Sequence, residues 1–323
     1  MLLQARKPLL MLLALIAMTA LTLTACPLLR RQERVPSIPE AIRASDRREP
    51  TIRVYMHTTG QVVTMPFEEY LLGVVAAEME PTWHREALAA QAIVARTFTL
   101  DKIARQGGVP NRNAHASTDI EEFQAYNAER INDNVRLAVQ KTRGMVLSYG
   151  GEFVRTWFHA YCDGHTSTAA DGLAFREFPT PFITPATDIC PEFTPAEERV
   201  YTVTFTRAEV VQALRQIGQT PGGFTEIEVV KKDRAGRAVT VRIGRAQVSG
   251  PAFRIAIGST RLRSTKWQGV TVAGDSITFR GSGYGHGVGL CQWGTKARAE
   301  RGDAHADIVK HYFPKALLAQ IWD

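Results

Sequence analysis

Residues 66–100 read PFEEYLLGVVAAEMEPTWHREALAAQAIVARTFTL and predict two helices that meet at Pro81. Apolar residues recur at intervals of three and four in the first half, which predicts a helix with one apolar face that ends near Pro81. Continued by one turn, this face places Glu78 at an inward position. A carboxyl group buried without a cationic partner has a raised pKa, as a general acid needs near neutral pH. The alternative is that Glu78 lies at a frayed helix end and points into water.

A second helix is predicted after Pro81, with Thr82 as its N-cap and Glu86 in its first turn. This helix is rich in alanine, and such small side chains let another part of the backbone approach closely. Gln91 and Arg96 are its polar exceptions. The guanidinium of Arg96 could hold a carboxylate or a sugar oxygen, or it could lie at the surface above its apolar stem.

The N-terminal 26 residues have the pattern of an export signal. Arg6 and Lys7 precede an apolar run, Leu9 to Leu23, that is short for a membrane span and typical of a signal peptide. The run ends in Leu-Thr-Ala-Cys, which resembles a bacterial lipobox with Cys26 as the lipidated residue. Lipidation predicts an exported, membrane-anchored lipoprotein that faces the cell wall or periplasm. An uncleaved anchor helix or an ordinary signal peptide would also place the remaining chain outside the cytoplasm.

Composition and element order predict an α+β protein. The 323 residues are 45% hydrophobic and 22% charged, as in ordinary globular proteins. Residues 27–50 are rich in Arg, Glu and Pro without periodicity, and predict a flexible tether. Residues 51–323 mix hairpins and helices without regular strand–helix alternation, which indicates the α+β class. We expect one two-lobed domain around a cleft, with the helices of residues 66–142 in one lobe and about 199–280 in the other.

Several shorter patterns predict individual elements. Alternating apolar residues indicate a strand pair over 51–65, and an amphipathic pattern indicates a helix over 127–142. Thr206 is expected to cap a helix over 207–217, whereas 253–257 is ambiguous. The net charge of +7 favours acidic partners such as wall polymers or anionic lipid. Because no basic and aromatic nucleic-acid motif accompanies this charge, nucleic acid is not an expected partner.

Residues 159–165, HAYCDGH, are the candidate metal site. His159, Cys162 and His165 recur at intervals of three, and these ligand types suit zinc if a turn brings them together. Cys190 or a water molecule could supply the fourth ligand. Alternatively, the three residues remain apart, or Cys162 forms a disulfide with Cys190.

Residues 281–294, GSGYGHGVGLCQWG, have glycine at every second position as far as Gly289. The segment lacks the Lys-Ser/Thr of a phosphate loop and the context of a dinucleotide fingerprint. In an extended chain, one face would be bare and open to a flat ligand or another chain segment, with Ser282, Tyr284 and His286 on the other face. The alternative is a left-handed loop that sterically requires glycine.

Three stretches resemble, in this order, the signatures of one family: GVVAAEMEPTWHREALAAQAIVARTF, TRGMVLSYGGEFVRTWFHAYCDGHT and GSGYGHGVGLCQWG. They are similar to the stage II sporulation protein D and amidase-enhancer family, over roughly residues 51–314. For the sporulation protein, the resemblance implies a peptidoglycan lytic transglycosylase that acts on glycan strands stripped of stem peptides. It places the catalytic glutamate at Glu78 and the arginine of the motif at Arg96.

The resemblance also bears on the metal. Zinc-binding relatives imply His159, Cys162 and His165 as ligands of a structural zinc ion. The sequence departs from the usual pattern because Glu80 intervenes before the proline and Cys291 stands where serine is usual.

The first functional hypothesis is transglycosylation with a single carboxyl group. Ordinary glycosidases use two carboxyl groups, and the sequence offers one well-placed candidate. Glu78 would protonate the oxygen between MurNAc and GlcNAc, and then accept the proton of the C6 hydroxyl as a 1,6-anhydro-MurNAc end forms. Five side chains would bind the sugar: Gln91, Arg96, Tyr284, His286 and Gln292.

Two alternative hypotheses remain open. The protein could be a non-catalytic amidase enhancer that binds glycan and activates a cell-wall amidase, which would then be its partner. It could also be a zinc amidase that uses His159, Cys162 and His165.

Overall fold

The computed structural model describes residues 34–323. The signal peptide predicted for residues 1–26, including Cys26, lies outside the described residues, as does the first part of the predicted tether. Among residues 34–323, no helix is both long and apolar enough to cross a membrane.

The described chain has an α+β fold, which confirms the predicted class. Its α-helices are α1 (Phe67–Glu78), α2 (Arg85–Gln106), α3 (Asp133–Lys141), α4 (Ala169–Gly172), α5 (Cys190–Phe193), α6 (Ala196–Arg199), α7 (Arg207–Gln216), α8 (Gly250–Ala256), α9 (Gln292–Glu300) and α10 (His305–Tyr312). The first strands are β1 (Thr51–Met56), β2 (Gln61–Pro66), β3 (Ala116–Ser117), β4 (Met145–Tyr149), β5 (Glu152–Phe153), β6 (Phe158–His159) and β7 (Val200–Thr206). The later strands are β8 (Ile227–Lys232), β9 (Ala238–Ile243), β10 (Ala246–Ser249), β11 (Lys266–Ala273), β12 (Ser276–Ser282), β13 (Leu290–Cys291) and β14 (Leu317–Gln320).

Helix α2 lies at the centre of the first hydrophobic core, with α1, α3, α9, α10 and β4 packed around it. All of its alanines near the N-terminus are fully buried, so the helices around it can approach closely. The helix begins at Arg85 because His84 is its N-cap, whose Nδ1 accepts a hydrogen bond from the Glu86 N–H. The prediction of Thr82 as the N-cap is therefore wrong. The helix ends at Gly107, which has a left-handed φ of 72°.

Three small sheets pack with the helices of this core, and together they form the first lobe. The antiparallel pair β1–β2 confirms the predicted strand pair, and β3 lies parallel to β1. Strands β14, β4 and β5 form an antiparallel sheet, and β6 and β13 form a parallel pair. Because β13, β14, α9 and α10 come from the C-terminal part of the chain, the last residues return to the first lobe. Trp322 is fully buried there, with its ring 5.3 Å from that of Phe67.

A second hydrophobic core lies within residues 201–279. It contains two antiparallel sheets, β10–β9–β8 and β11–β12–β7, with α7 and α8. Thr206 and Glu209 form a complete capping box at the start of α7, as predicted for Thr206. The ambiguous stretch 253–257 belongs to α8, which is capped by Ser249.

The helix predicted over 127–142 is divided in the structure. A 3₁₀ turn covers Ala128–Arg130, and α3 begins only at Asp133. The cause is Asn132, whose side chain accepts a hydrogen bond of 3.0 Å from the Val135 N–H and so starts a new helix.

The described part of the predicted tether, residues 34–50, packs on the first lobe. Ile38 and Ile42 are buried in its core, and Arg47 forms a backbone bridge with Trp322. The prediction of a flexible segment is therefore wrong for these residues, because their isolated apolar side chains are buried although they show no periodic pattern.

A buried ion pair joins α1 to α2. Arg96 is fully buried, and its Nε and Nη2 donate to the two carboxylate oxygens of Glu68 at 3.0 and 2.6 Å. Glu68 also accepts hydrogen bonds from the Gly144 N–H and from Trp322 Nε1. The prediction that Arg96 binds sugar is therefore wrong in this structure, because its guanidinium holds a buried carboxylate.

We expect Arg96→Ala to lower the free energy of unfolding by about 3–5 kcal/mol, because the substitution leaves the charge of Glu68 buried and unpaired. Urea denaturation followed by circular dichroism measures this loss. Arg242→Ala is the matched control. Its ion pair with Glu228 is exposed, so a change of at most about 1 kcal/mol is expected. Equal, small losses in both variants would contradict a structural role for Arg96.

Candidate active site

Glu78 is the last residue of α1, at the end of the helix face that is buried in the core. Val74 and Val75 before it are fully buried, whereas Glu78 is half-buried. The helix stops there because Met79 has an extended backbone with φ −127° and ψ 161°. Pro81 also disfavours helical geometry at the residue before it. The carboxyl group is thus fixed at a helix end but remains partly accessible.

The surroundings of Glu78 favour its protonated form. Its Oε1 accepts a 2.8 Å hydrogen bond from the Ala125 N–H, and its Oε2 accepts a 3.4 Å bond from Gln292 Nε2. Within residues 34–323, no salt bridge or hydrogen bond joins it to a cationic side chain. Burial raises the pKa of Glu78 to about 7, against the lowering effect of the two hydrogen bonds. At neutral pH, a substantial fraction of the carboxyl group therefore carries a proton.

The hydrogen bond from Ala125 depends on a loop that was not predicted to be part of the site. Tyr126 stacks on Tyr70 of α1, with ring centroids 5.9 Å apart and planes 9° apart. A Cβ atom at Gly73 would lie 2.2 Å from the Tyr126 ring, so only glycine permits this close packing. The loop is thereby held over the last turns of α1, where the backbone of Ala125 reaches Glu78.

Gln292 comes to Glu78 from the start of α9. The residue before it, Cys291, is the N-cap of this helix, and its sulfur accepts a hydrogen bond from the Gly294 N–H. Of the five predicted sugar-binding residues, Gln292 is the one that is hydrogen-bonded to Glu78 in the described chain.

An aromatic pair lies beside these two positions in sequence. Trp293 follows Gln292, and its ring centroid is 4.8 Å from that of Trp83, five residues after Glu78. Both indoles are half-buried. Aromatic side chains commonly line ligand sites, yet Trp83 and Trp293 were not predicted as site residues. The sequence pattern that could have predicted them is the presence of one tryptophan in each of two family motifs, Trp83 in the first and Trp293 in the glycine-rich one.

The glycine-rich segment is the left-handed loop, not the extended chain. Gly283, Gly285, Gly287 and Gly289 all have positive φ, from 73° to 98°. Added Cβ atoms at Gly285, Gly287 and Gly289 would lie 2.1–2.6 Å from atoms of His159, Arg237 and Trp157 respectively. The bare positions are therefore covered by this protein's own chain and are not open to a flat ligand.

Tyr284 and His286 remain candidates for substrate contact. Tyr284 is 37% exposed, and its backbone pairs with that of Tyr161. His286 is half-buried, and its Nδ1 accepts a 3.0 Å hydrogen bond from the Val288 N–H. Burial, with the nearby charges of Arg254 and Arg237, lowers the pKa of His286 to about 3. His286 is therefore neutral at pH 7 and can offer a hydrogen bond but no charge.

Gln91 is fully buried, like Arg96. Its side chain lies inside the first lobe on α2, so it has no exposed atoms with which to contact a glycan. The prediction that Gln91 binds sugar is wrong in this structure. The alanine-rich helix α2 lies at the centre of the first hydrophobic core, so Gln91 is not exposed on a cleft surface.

The predicted zinc ligands do not come together. His165 is exposed, whereas Cys162 is fully buried. The ring of His159 lies 5.4 Å from that of His286, and its Nδ1 contacts the Val288 carbonyl. Neither histidine belongs to the group of metal-ligand side chains that the described residues bring together. The set His159, Cys162 and His165 is therefore wrong as a metal site, and with it the basis for a zinc amidase.

Cys162 lies instead with three other side chains: Asp188, Cys190 and Cys291. The three cysteines are free thiols, and the sulfurs of Cys162 and Cys190 are 3.2 Å apart. The structure thus brings together Cys162 and Cys190, which the sequence offered either as zinc ligands or as a disulfide pair. Cys291 and Asp188 were not predicted as members of this group.

Comparison with known proteins identifies the family. A family model described as stage II sporulation protein matches residues 55–149. The chain is 30% identical over 283 residues to stage II sporulation protein D of Bacillus subtilis, covering 84% of this chain and 79% of the relative. It is 28% identical over 260 residues to an uncharacterized protein of Brachyspira hyodysenteriae, covering 80% of this chain and 68% of the relative.

A third relative bears a different name. The chain is 29% identical over 294 residues to an amidase enhancer of Bacillus subtilis, covering 77% of this chain but 40% of that protein. Together with the site geometry, these matches define the class: the chain belongs to the stage II sporulation protein D and amidase-enhancer family. Membership of this family supports a function related to the cell wall.

We expect Glu78→Gln to stabilise the protein above neutral pH. The native pKa of about 7 is above the ordinary value of 4.5, so ionisation of Glu78 destabilises the fold. Its favourable contribution is complete below about pH 4.5 and is lost as the pH rises through about 7, by up to about 3 kcal/mol. Unfolding free energies measured from pH 4 to pH 9, at about half-unit steps, test this linkage. Parallel pH profiles for the wild type and the variant would contradict it.

Proposed function

We propose that the protein is a peptidoglycan lytic transglycosylase that cleaves the bond between MurNAc and GlcNAc. The observation that carries the proposal is Glu78, a partly accessible carboxyl group whose burial among protein atoms raises its pKa to about 7. Family membership supports a cell-wall substrate. Glycan strands stripped of stem peptides are the proposed substrate class.

The reaction begins with proton transfer from Glu78 to the glycosidic oxygen. The bond from C1 of MurNAc to that oxygen breaks, and GlcNAc leaves with a C4 hydroxyl group. Positive charge develops at C1, as in other glycosidic cleavages. The C6 hydroxyl of the same MurNAc then attacks C1 while the Glu78 carboxylate accepts its proton. A 1,6-anhydro ring forms, and Glu78 is protonated again for the next turnover.

The neighbours of Glu78 suit both halves of this cycle. The N–H groups of Ala125 and Gln292 hold the two carboxyl oxygens and stabilise the carboxylate that exists between the two proton transfers. Burial disfavours that carboxylate, so proton return from the C6 hydroxyl is also favourable. Sugar contacts are assigned to Gln292, Tyr284 and His286, and the Trp83–Trp293 pair is added as an apolar platform.

A second candidate function is that of a non-catalytic amidase enhancer. It is favoured by the relative that bears this name, which aligns with 77% of this chain. In that case the protein would bind glycan and activate a cell-wall amidase without forming anhydro ends. The two functions differ in whether the purified protein alone releases product.

We expect the purified protein to form anhydro-MurNAc ends on denuded glycan strands, detected by mass spectrometry. Glu78→Gln should reduce the rate at least about 100-fold, because the amide cannot donate and recover the proton. Glu80→Gln is the matched control, since Glu80 is exposed and paired with Arg130. Its rate should remain near that of the wild type. Full activity of Glu78→Gln would refute the assignment, and amidase stimulation without any anhydro product would favour the enhancer.

We further propose that Cys26 is lipidated and anchors the protein outside the cytoplasm. Cys26→Ser should then move the protein from the membrane fraction to the soluble exported fraction and abolish incorporation of labelled fatty acid. Cell fractionation with metabolic labelling measures both effects. Retention of label in the serine variant would contradict the proposal.

A further inference from the structure

Three thiols and one carboxylate form a buried cluster in the first lobe. The ligand atoms of Cys162, Cys190, Cys291 and Asp188 all lie within 4.8 Å of one another, and all four residues are buried. We propose that this cluster binds one zinc ion in a closed, tetrahedral Cys₃Asp site. The inference does not depend on the proposed transglycosylase activity.

The separations between the donor atoms fit a zinc ion. With Zn–S bonds of about 2.3 Å, tetrahedral geometry places two sulfurs about 3.8 Å apart. The sulfurs of Cys162 and Cys190 are already 3.2 Å apart, and every donor pair is within 4.8 Å. Only small side-chain adjustments are therefore needed. Three thiolates with one carboxylate are a donor set that suits zinc, because zinc accepts both sulfur and oxygen ligands.

The backbone around the cluster donates to the sulfurs. The Cys291 sulfur accepts hydrogen bonds from the Cys162 N–H at 3.3 Å and the Gly294 N–H at 3.4 Å. The Cys190 sulfur accepts one from the Gly164 N–H at 3.4 Å. Such donors stabilise thiolates, the form in which cysteine binds a metal.

Asp188 is oriented by two further hydrogen bonds. Its Oδ2 accepts a 2.6 Å bond from the Tyr312 hydroxyl, and its Oδ1 accepts a 3.1 Å bond from the Cys190 N–H. Partners of this kind fix a ligating carboxylate in metal sites. Tyr312 is itself buried, and its hydrogen bond to Asp188 connects α10 to the cluster.

A buried cation lies beside the cluster. Arg237 is fully buried, its Nη2 lies 3.5 Å from the Cys162 carbonyl, and its Nη1 donates to the Gly285 carbonyl at 3.1 Å. No salt bridge in residues 34–323 pairs this guanidinium with a carboxylate. Three thiolates and a carboxylate around Zn²⁺ carry a net charge of −2, and the guanidinium of Arg237 would reduce this buried charge to −1.

The zinc ion would join segments that are distant in sequence and would position part of the active site. Cys162 follows β6, Cys190 begins α5, and Cys291 caps α9. Gln292, the next residue, is hydrogen-bonded to Glu78. Zinc bound at Cys291 would therefore fix the end of α9 that carries this partner of the acid.

The first test is metal analysis of the full chain with ligand variants. We expect one zinc per chain, and loss of at least about tenfold in zinc affinity for Cys162→Ser, Cys190→Ser or Cys291→Ser. His165→Ala is the control, because this exposed histidine is a ligand only in the arrangement expected from the sequence. It should retain full zinc occupancy. Loss of zinc in His165→Ala would overturn the proposed ligand set.

The second test needs no substitution and so remains decisive if the serine variants fail to fold. X-ray absorption of the zinc-loaded wild type should show three sulfurs at about 2.3 Å and one oxygen at about 2.0–2.2 Å. An imidazole signature in the first shell would contradict the proposal. The proposal would also be contradicted by a protein that contains no metal and in which two of Cys162, Cys190 and Cys291 react with thiol reagents only after reduction. That result would identify a disulfide.

Discussion

The desolvated carboxyl group of Glu78 is the constraint on which the proposed function rests. An ionised carboxylate is costly in such a place, and within residues 34–323 no cationic side chain is bonded to it. Three separate parts of the chain create this environment: the end of α1, the loop that contains Ala125, and the start of α9. The end of α1 carries the carboxyl group, the loop contributes a backbone N–H, and α9 contributes a side-chain amide. Both carboxyl oxygens are therefore held by uncharged donors. The same group can therefore give up a proton and recover it.

The rigidity of this site comes from the helices behind it. Helix α2 is buried along most of its length, and its alanines let α1, α3, α9 and α10 pack closely against it. The Arg96–Glu68 ion pair then fixes the position of α1 relative to α2, because an unpaired charge in the core would be strongly destabilising. The buried ion pair thus stabilises the packing of the first lobe. Glu78, in contrast, lies where α1 ends and α9 begins. The thiol cluster that is proposed to bind zinc includes Cys291, the N-cap of α9.

Features that depend on residues close together in the chain, such as helix faces, strand pairs and helix caps, can be predicted from the sequence. Helical periodicity places Glu78 on the buried face of α1, and alternation and capping patterns predict the β1–β2 pair and the start of α7. The sequence does not reveal which distant residue completes a contact. Arg96 meets Glu68, 28 positions away, and Cys162 meets Cys291, 129 positions away. Regular spacing of His159, Cys162 and His165 suggested a metal site, but the backbone turns His165 out to the surface.

A crystal structure of the Glu78→Gln protein with a denuded glycan oligosaccharide would test directly whether Glu78 is the catalytic acid. If Glu78 is the acid, a MurNAc–GlcNAc linkage will be bound with its bridging oxygen about 3 Å from the side-chain amide of residue 78. The C6 hydroxyl of that MurNAc should lie within reach of the same group. An oligosaccharide bound elsewhere on the lobe, with no glycosidic oxygen near residue 78, would contradict the assignment of Glu78 as the catalytic acid.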